Sequence, residues 1–158
     1  MSHLLILVGS DAIECTVQWG DTTEHHSIPV GIDTLLRQHL TDDPPRPEDL
    51  TNAIGIVIDH LDDLTREHPY AVDADVAVAG PEMTAIAAVE EGSAAVLPYA
   101  LHRDAAEDVF RTLVTEPLVD RLRNPGLEAH LGHRVVAGSC VLVAVMRALQ
   151  LTSVSVTA

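Results

Sequence analysis

Between Leu4 and Val30 the chain carries three strand-like runs joined by short connections, and this arrangement restricts the first part of the fold most strongly. Leu4 to Val8 is a continuous apolar run closed by Gly9. Ile13 to Trp19 alternates, placing Ile13, Cys15, Val17 and Trp19 on one face of an extended segment. Glu24 to Val30 is a weaker run ending in Ile28-Pro29-Val30, and Gly20-Asp21 supplies hairpin chemistry before it. An antiparallel meander follows, with Trp19 expected in the core as the last apolar residue of its alternating strand.

The periodicity then turns helical. Gly31 to Leu40 reads as a short helix stopped by Asp42-Asp43-Pro44-Pro45, since consecutive prolines forbid its continuation. Pro47 suits the first turn of a long helix, whose stripe runs through Leu50, Ile54, Val57, Ile58, Leu61 and Leu64 to His68-Pro69. Ala74 to Ala79 is a buried strand, and Gly80-Pro81 opens a helix through Val89. Asp104 to Val114 presents Ala106, Val109, Phe110 and Leu113 on one face. Pro117 begins a short helix to Arg123, stopped by Asn124-Pro125-Gly126; Arg134 to Leu149 is strongly apolar, and Val154 to Val156 is a last strand. The expectation is a single α/β domain over residues 1–158, built on a mixed five-stranded sheet: a meander, then strands added by right-handed crossover helices.

Composition narrows the partners. The chain has 158 residues, 47% hydrophobic but only 3% aromatic, so packing must rest on Val, Ile, Leu and Ala. Twenty-four acidic residues against nine arginines and no lysine give a net charge of −15, which repels polyanions. Nucleic acid and anionic membrane are therefore not expected as partners. Cys15 and Cys140 sit among apolar neighbours and read as reduced core residues. Leu4 to Val8 is too short for a signal peptide core or a membrane span, so a cytoplasmic location is expected.

Several collinear strings resemble the second half of the exopolyphosphatase and pppGpp phosphohydrolase (Ppx/GppA) family. They are SIPVGIDTL (Ser27 to Leu35), DDPPRPEDL (Asp42 to Leu50) and the close from Asn124 to Val156. The resemblance implies an actin-like, ribonuclease H-like domain. It also implies two phosphate-facing turns, and both depart from the pattern. The family's DxGGGSTE loop here reads LVGSDAIE: Leu7 stands where the metal-engaging Asp would be, Gly9 is the only glycine kept, Ser10 and Asp11 replace the next two, and Glu14 matches the final Glu. An anion nest of backbone N–H groups depends on glycine, and Asp11 adds a carboxylate where phosphate would sit. The family's GGT turn reads Ala79-Gly80-Pro81, and proline removes an N–H donor from that helix start. Val156-Thr157-Ala158 stands before the position of the family's GLREG continuation, and the resemblance implies that the family's catalytic Glu would belong to a first half outside these residues.

Other constellations have ordinary readings. Asp59, Asp62, Asp63 and Glu67 form the solvated side of the long helix, and Glu90-Glu91 closes a helix at its unfavourable end. His25 and His26 are adjacent in a candidate strand and point to opposite faces, so they cannot share an ion without distortion. His130 and His133 near Glu128 read as exposed loop residues; no metal site is expected. Ser139-Cys140 reads as a packing turn rather than a nucleophile elbow.

No catalytic residue is assigned. Gly9, Ser10, Glu14 and Gly80 form a degenerate phosphate site. Val96, Leu97, Tyr99 and Leu101, in the apolar run from Ala94 to Leu101, form the expected interaction surface. The expected function is association, either as a homo-oligomer such as a dimer or with a separate protein chain, and without a cofactor. The alternative is a phosphoanhydride hydrolase completed by a first-half domain and dependent on Mg²⁺, with residual nucleotide binding as a middle case.

Overall fold

The computed structural model describes all 158 residues. Strands β1 (Ser2–Val8), β2 (Ile13–Trp19) and β3 (Thr22–Ile28) form the expected antiparallel meander. Gly20 turns the second hairpin with φ at 58°, a conformation that glycine adopts without steric cost. Helices α1 (Ile32–Gln38) and α2 (Pro47–Glu67) return the chain to β4 (Asp75–Ala79), which lies parallel to β1. Next come α3 (Pro81–Glu91), β5 (Tyr99–His102), α4 (Arg103–Thr115), α5 (Leu118–Arg121), α6 (Arg134–Ala148) and β6 (Ser153–Thr157).

The sheet has six strands in the order β3-β2-β1-β4-β6-β5, one more than expected. The addition is β5, cut from the end of the apolar run Ala94–Leu101 and paired antiparallel with β6. Four residues give too little alternation to reveal a strand, and β5 runs straight into α4 without a loop to mark its end.

Helix α6 explains the layering. Twelve of its fifteen residues are buried, so it is apolar on every side and must lie inside. Helices α1, α2, α3 and α4 all pack against it, covering one face of the sheet. Ser139 and Cys140, expected in a turn, lie in the middle of this helix with no route to solvent. Both cysteines are free and buried, as expected.

The opposite sheet face is open. Along β1, Leu4, Ile6 and Val8 point into the core, while Leu5 and Leu7 point outward and are exposed. The register sets Leu5 between Thr16 and Ala77, and Leu7 between Glu14 and Ala79. Trp19 does not enter the core: it is exposed and stacks on Tyr70 with ring centroids 4.5 Å apart and planes 8° from parallel. The hairpin tip carries it past the edge of the helix layer, so alternation alone could not bury it. No helix is long and apolar enough to cross a membrane.

Candidate functional site

The parallel strands β1 and β4 end side by side, and the turns that follow them meet the first residues of α1, α3 and α6. In the first turn the Gly9 N–H donates to Ala12 O at 3.0 Å. The turn's carbonyls then face α1: Ile32 N–H donates to Gly9 O at 3.0 Å and Asp33 N–H to Ser10 O at 2.8 Å. Two of the N–H groups that a helix start could offer to an anion are thus already satisfied by backbone. The approach is close, since a Cβ on Gly31 would lie 2.5 Å from the Ser10 carbonyl. The second turn is held by Gly80, at φ 133°, where a Cβ would fall 2.7 Å from Val8 O. Pro81 follows as the first residue of α3 and contributes no N–H.

Arg134, the first residue of α6, occupies the meeting point. Its Nε donates to Glu82 Oε1 at 2.8 Å, its Nη1 to Asp33 Oδ1 at 2.6 Å and its Nη2 to Ser10 Oγ at 2.9 Å. Glu82 lies in the first turn of α3 with only 3% of its side chain exposed, and Asp33 lies in the first turn of α1. Each carboxylate sits at the positive end of its helix, where a bound anion would otherwise be stabilised. Partial burial alone would lower the pKa of Arg134, but its bonds to Asp33 and Glu82 outweigh this and raise it above the ordinary guanidinium value. The remaining space is a cavity of about 260 Å³, lined by Val8, Gly9, Ser10, Glu82, His130 and Arg134 among others. Two carboxylates thus hold one guanidinium, and Asp11 lies exposed on the first turn. The arrangement is an internal ion-pair cluster with one more carboxylate than guanidinium.

The expected phosphate residues separate. Gly9 and Ser10 line this cavity, and Gly80 packs behind it against β1. Glu14 lies on β2 facing the open side of the sheet, where it accepts a hydrogen bond from Ser27 Oγ at 2.9 Å and pairs in register with Leu7. For the magnesium-phosphate complex implied by the resemblance, Leu7 brings no oxygen where the family pattern has Asp, and Asp33 and Glu82 already hold Arg134.

The expected interaction surface divides as well. Val96 is 85% exposed, but Leu97 and Tyr99 pack partly against the core, and Leu101 is fully buried under β5. Leu101 is therefore removed from that surface, because the strand turns its side chain inward. The Tyr99 hydroxyl donates to Glu91 Oε2 at 3.1 Å, which gives the acidic end of α3 a structural partner.

Three features escape the sequence. A larger cavity of about 590 Å³ adjoins the first, lined by Thr84, Ala85, Ala88, Ala95 and Leu127 among others. Arg121 is completely buried and donates to the carbonyls of Leu113, Glu116 and Gly132 and to Asp43. His26 meets Glu67 and His68 beneath β3. The small-residue spacing of α3 hints at the first; only the fold assembles the others.

The family model described as the Ppx/GppA phosphatase family matches residues 7–158. Among solved structures, the Aquifex aeolicus PPX-GPPA enzyme is similar with a TM-score of 0.86 at 19% identity, covering 99% of this chain and 53% of its own. An exopolyphosphatase-like protein gives a TM-score of 0.87 at 18% identity over 99% of this chain and 54% of its own. An exopolyphosphatase from Cytophaga hutchinsonii gives 0.82 at 16% identity, over 98% of this chain and 52% of its own. The chain therefore spans about half the length of these structures, and at such identities the likeness establishes the actin-like fold. No curated protein sequence is significantly similar to it. With the family pattern spanning nearly all of it, the chain belongs to the Ppx/GppA phosphatase family.

Proposed function

We propose that this chain is a non-hydrolytic Ppx/GppA domain that acts through association with another protein surface. One observation carries the reading: Arg134, the cation at the junction of three helix starts, is held by Glu82, Asp33 and Ser10 rather than left for a ligand. A triphosphate entering there must displace two internal carboxylates and approach a chain of net charge −15. Association is supported by the open sheet face, where Leu5 and Leu7 lie exposed in the middle of the sheet rather than at its edge. Phosphate release from polyphosphate, pppGpp and ATP with Mg²⁺ tests the first half of the reading; the isolated chain should release none. Light scattering across a dilution series tests the second. A concentration-dependent dimer that Leu7→Glu converts to monomer supports self-association through this face. A wild-type monomer at every concentration moves the proposal to a separate partner chain, which must then bind in a Leu7-dependent manner.

The hydrolase alternative is favoured by the length of the solved relatives, one of them named an exopolyphosphatase, of which this chain covers about half. Under it, a first-half domain supplies the missing groups, and Gly9 and Ser10 line the anion site while Gly80 backs it. Its signature would be Mg²⁺-dependent phosphate release only when such a domain is added.

A further inference from the structure

The geometry points to a transition-metal site of the Zn²⁺ type formed by His26, Glu67 and His68, where the edge strand β3 meets the end of α2. One ligand atom from each of these residues lies within 4.8 Å of the other two. The placement follows from the fold. Residues 24 and 26 share the inward side of β3, because strand side chains alternate, while His25 points to the open face. Helix α2 ends at Glu67, and His68 leaves its axis with φ −128° and ψ 82°, turning both side chains toward β3. His26 Nδ1 lies 3.4 Å from Glu67 Oε2, and His68 Nδ1 lies 3.2 Å from Glu24 Oε2. The imidazoles meet edge to face with centroids 5.3 Å apart.

The chemistry selects the ion. Two imidazoles and a carboxylate suit Zn²⁺ and its Co²⁺ surrogate, whereas Mg²⁺ and Ca²⁺ require oxygen ligands throughout. Ligand atoms around a tetrahedral Zn²⁺ lie about 3.3 Å apart. The His26–Glu67 separation of 3.4 Å already satisfies this, and rotation of the remaining side chain closes the rest. Both histidine side chains are 14% exposed, so the rings are pre-positioned, while Glu67 at 60% leaves a route for the ion. Glu24 supplies a second carboxylate against His68, the kind of neighbour that orients a metal-binding imidazole. An ion held here would clasp β3, a strand with one unpaired edge, to α2.

Calorimetric titration of the full chain with Zn²⁺ tests the assignment, with Co²⁺ visible absorption reporting coordination. One equivalent should bind, and the Co²⁺ complex should show the intense d–d bands of a four- or five-coordinate site. His26→Gln and Glu67→Gln should each weaken binding at least tenfold, whereas His25→Gln and His130→Gln should leave it unchanged. Glu67 is exposed, so its variant remains informative even if His26→Gln disturbs folding. No Zn²⁺ binding by the wild type, which would leave two independent His–Glu ion pairs, overturns the proposal. Binding undiminished in both ligand variants, or lost equally in His25→Gln, also overturns it.

Discussion

Replacing Arg134 with methionine should destabilise the domain by stranding Glu82. The carboxylate is 3% exposed and loses its only charged partner, whereas Asp33, at 41% exposure, can turn to water. Breaking one partner out of a buried ion pair costs about 3–5 kcal/mol. Arg134 is itself 30% exposed, so water reaches the vacated position and the expected cost falls to about 2–3 kcal/mol. For a chain of this size that corresponds to a fall in Tm of roughly 4–12 °C. In urea, with a slope near 2 kcal/mol per M, the midpoint should drop by about 1–1.5 M. Circular dichroism during urea titration measures it. Glu82→Gln in the Arg134→Met background should recover much of the loss, because a neutral amide tolerates the site better than a carboxylate without a cation. The double-mutant cycle should therefore yield a coupling energy of at least about 1 kcal/mol. If Arg134→Met stays within about 0.5 kcal/mol of wild type, or the cycle shows no coupling, the ion-pair cluster does not hold these helix starts together and the reasoning fails.

Other expectations concern separate parts of the fold. Burial pushes the Cys15 thiol up to about 12, with the Glu14 charge adding to the effect, and burial pushes Cys140 to about 12 against a small opposing effect of Arg147. Neither thiol should react with Ellman's reagent at pH 8 until urea unfolds the chain; rapid labelling of the native protein would contradict their burial. Partial desolvation raises the pKa of Asp43, but hydrogen bonds from Arg121 and the Leu118 N–H, with the Arg121 charge, lower it further, to below the ordinary carboxylate value. A depressed carboxylate stabilises the folded state above its unfolded pKa, and this stability is lost as pH falls through the folded value. The wild type should therefore lose stability in that acid window, and Asp43→Asn should flatten the profile there. Arg121→Met leaves the carbonyls of Leu113, Glu116 and Gly132 without their donor and should cost about 3 kcal/mol or more, read as a urea midpoint shift. Gly80→Ala places a Cβ 2.7 Å from Val8 O at a φ that favours glycine, and should lower stability by about 1–3 kcal/mol; an unchanged Tm would remove the requirement for glycine there.

Local patterns in the sequence carried most of the fold. The bounds of the alternating run Ile13 to Trp19 matched β2, and the prolines at 47 and 81 each sit at the first position of a helix. Such features depend on neighbours a few residues away, so one sequence suffices to read them. What remained hidden depends on residues brought together from afar. Strand β5 has too few residues for a period to emerge, and only β6 makes it a strand. Trp19 obeys the alternation of its strand yet projects beyond the helices, where Tyr70 meets it from a segment fifty residues away. At the candidate site the missing glycines and Pro81 are visible in the sequence, but nothing local marks Arg134, because Asp33 and Glu82 converge on it only after α1, α3 and α6 have packed. The neighbour of His26 in sequence is His25, whereas its neighbours in space are Glu67 and His68.

A binding titration tests most directly whether Arg134 is unavailable to an anion. Short-chain polyphosphate and ATP, each with Mg²⁺, should produce no saturable heat with the wild-type chain at millimolar ligand. The same titration of Asp33→Asn/Glu82→Gln, in which Arg134 is released from both carboxylates, should produce measurable binding. Micromolar affinity in the wild type, abolished by Arg134→Met, would contradict the account and establish the closed pocket as a working anion site.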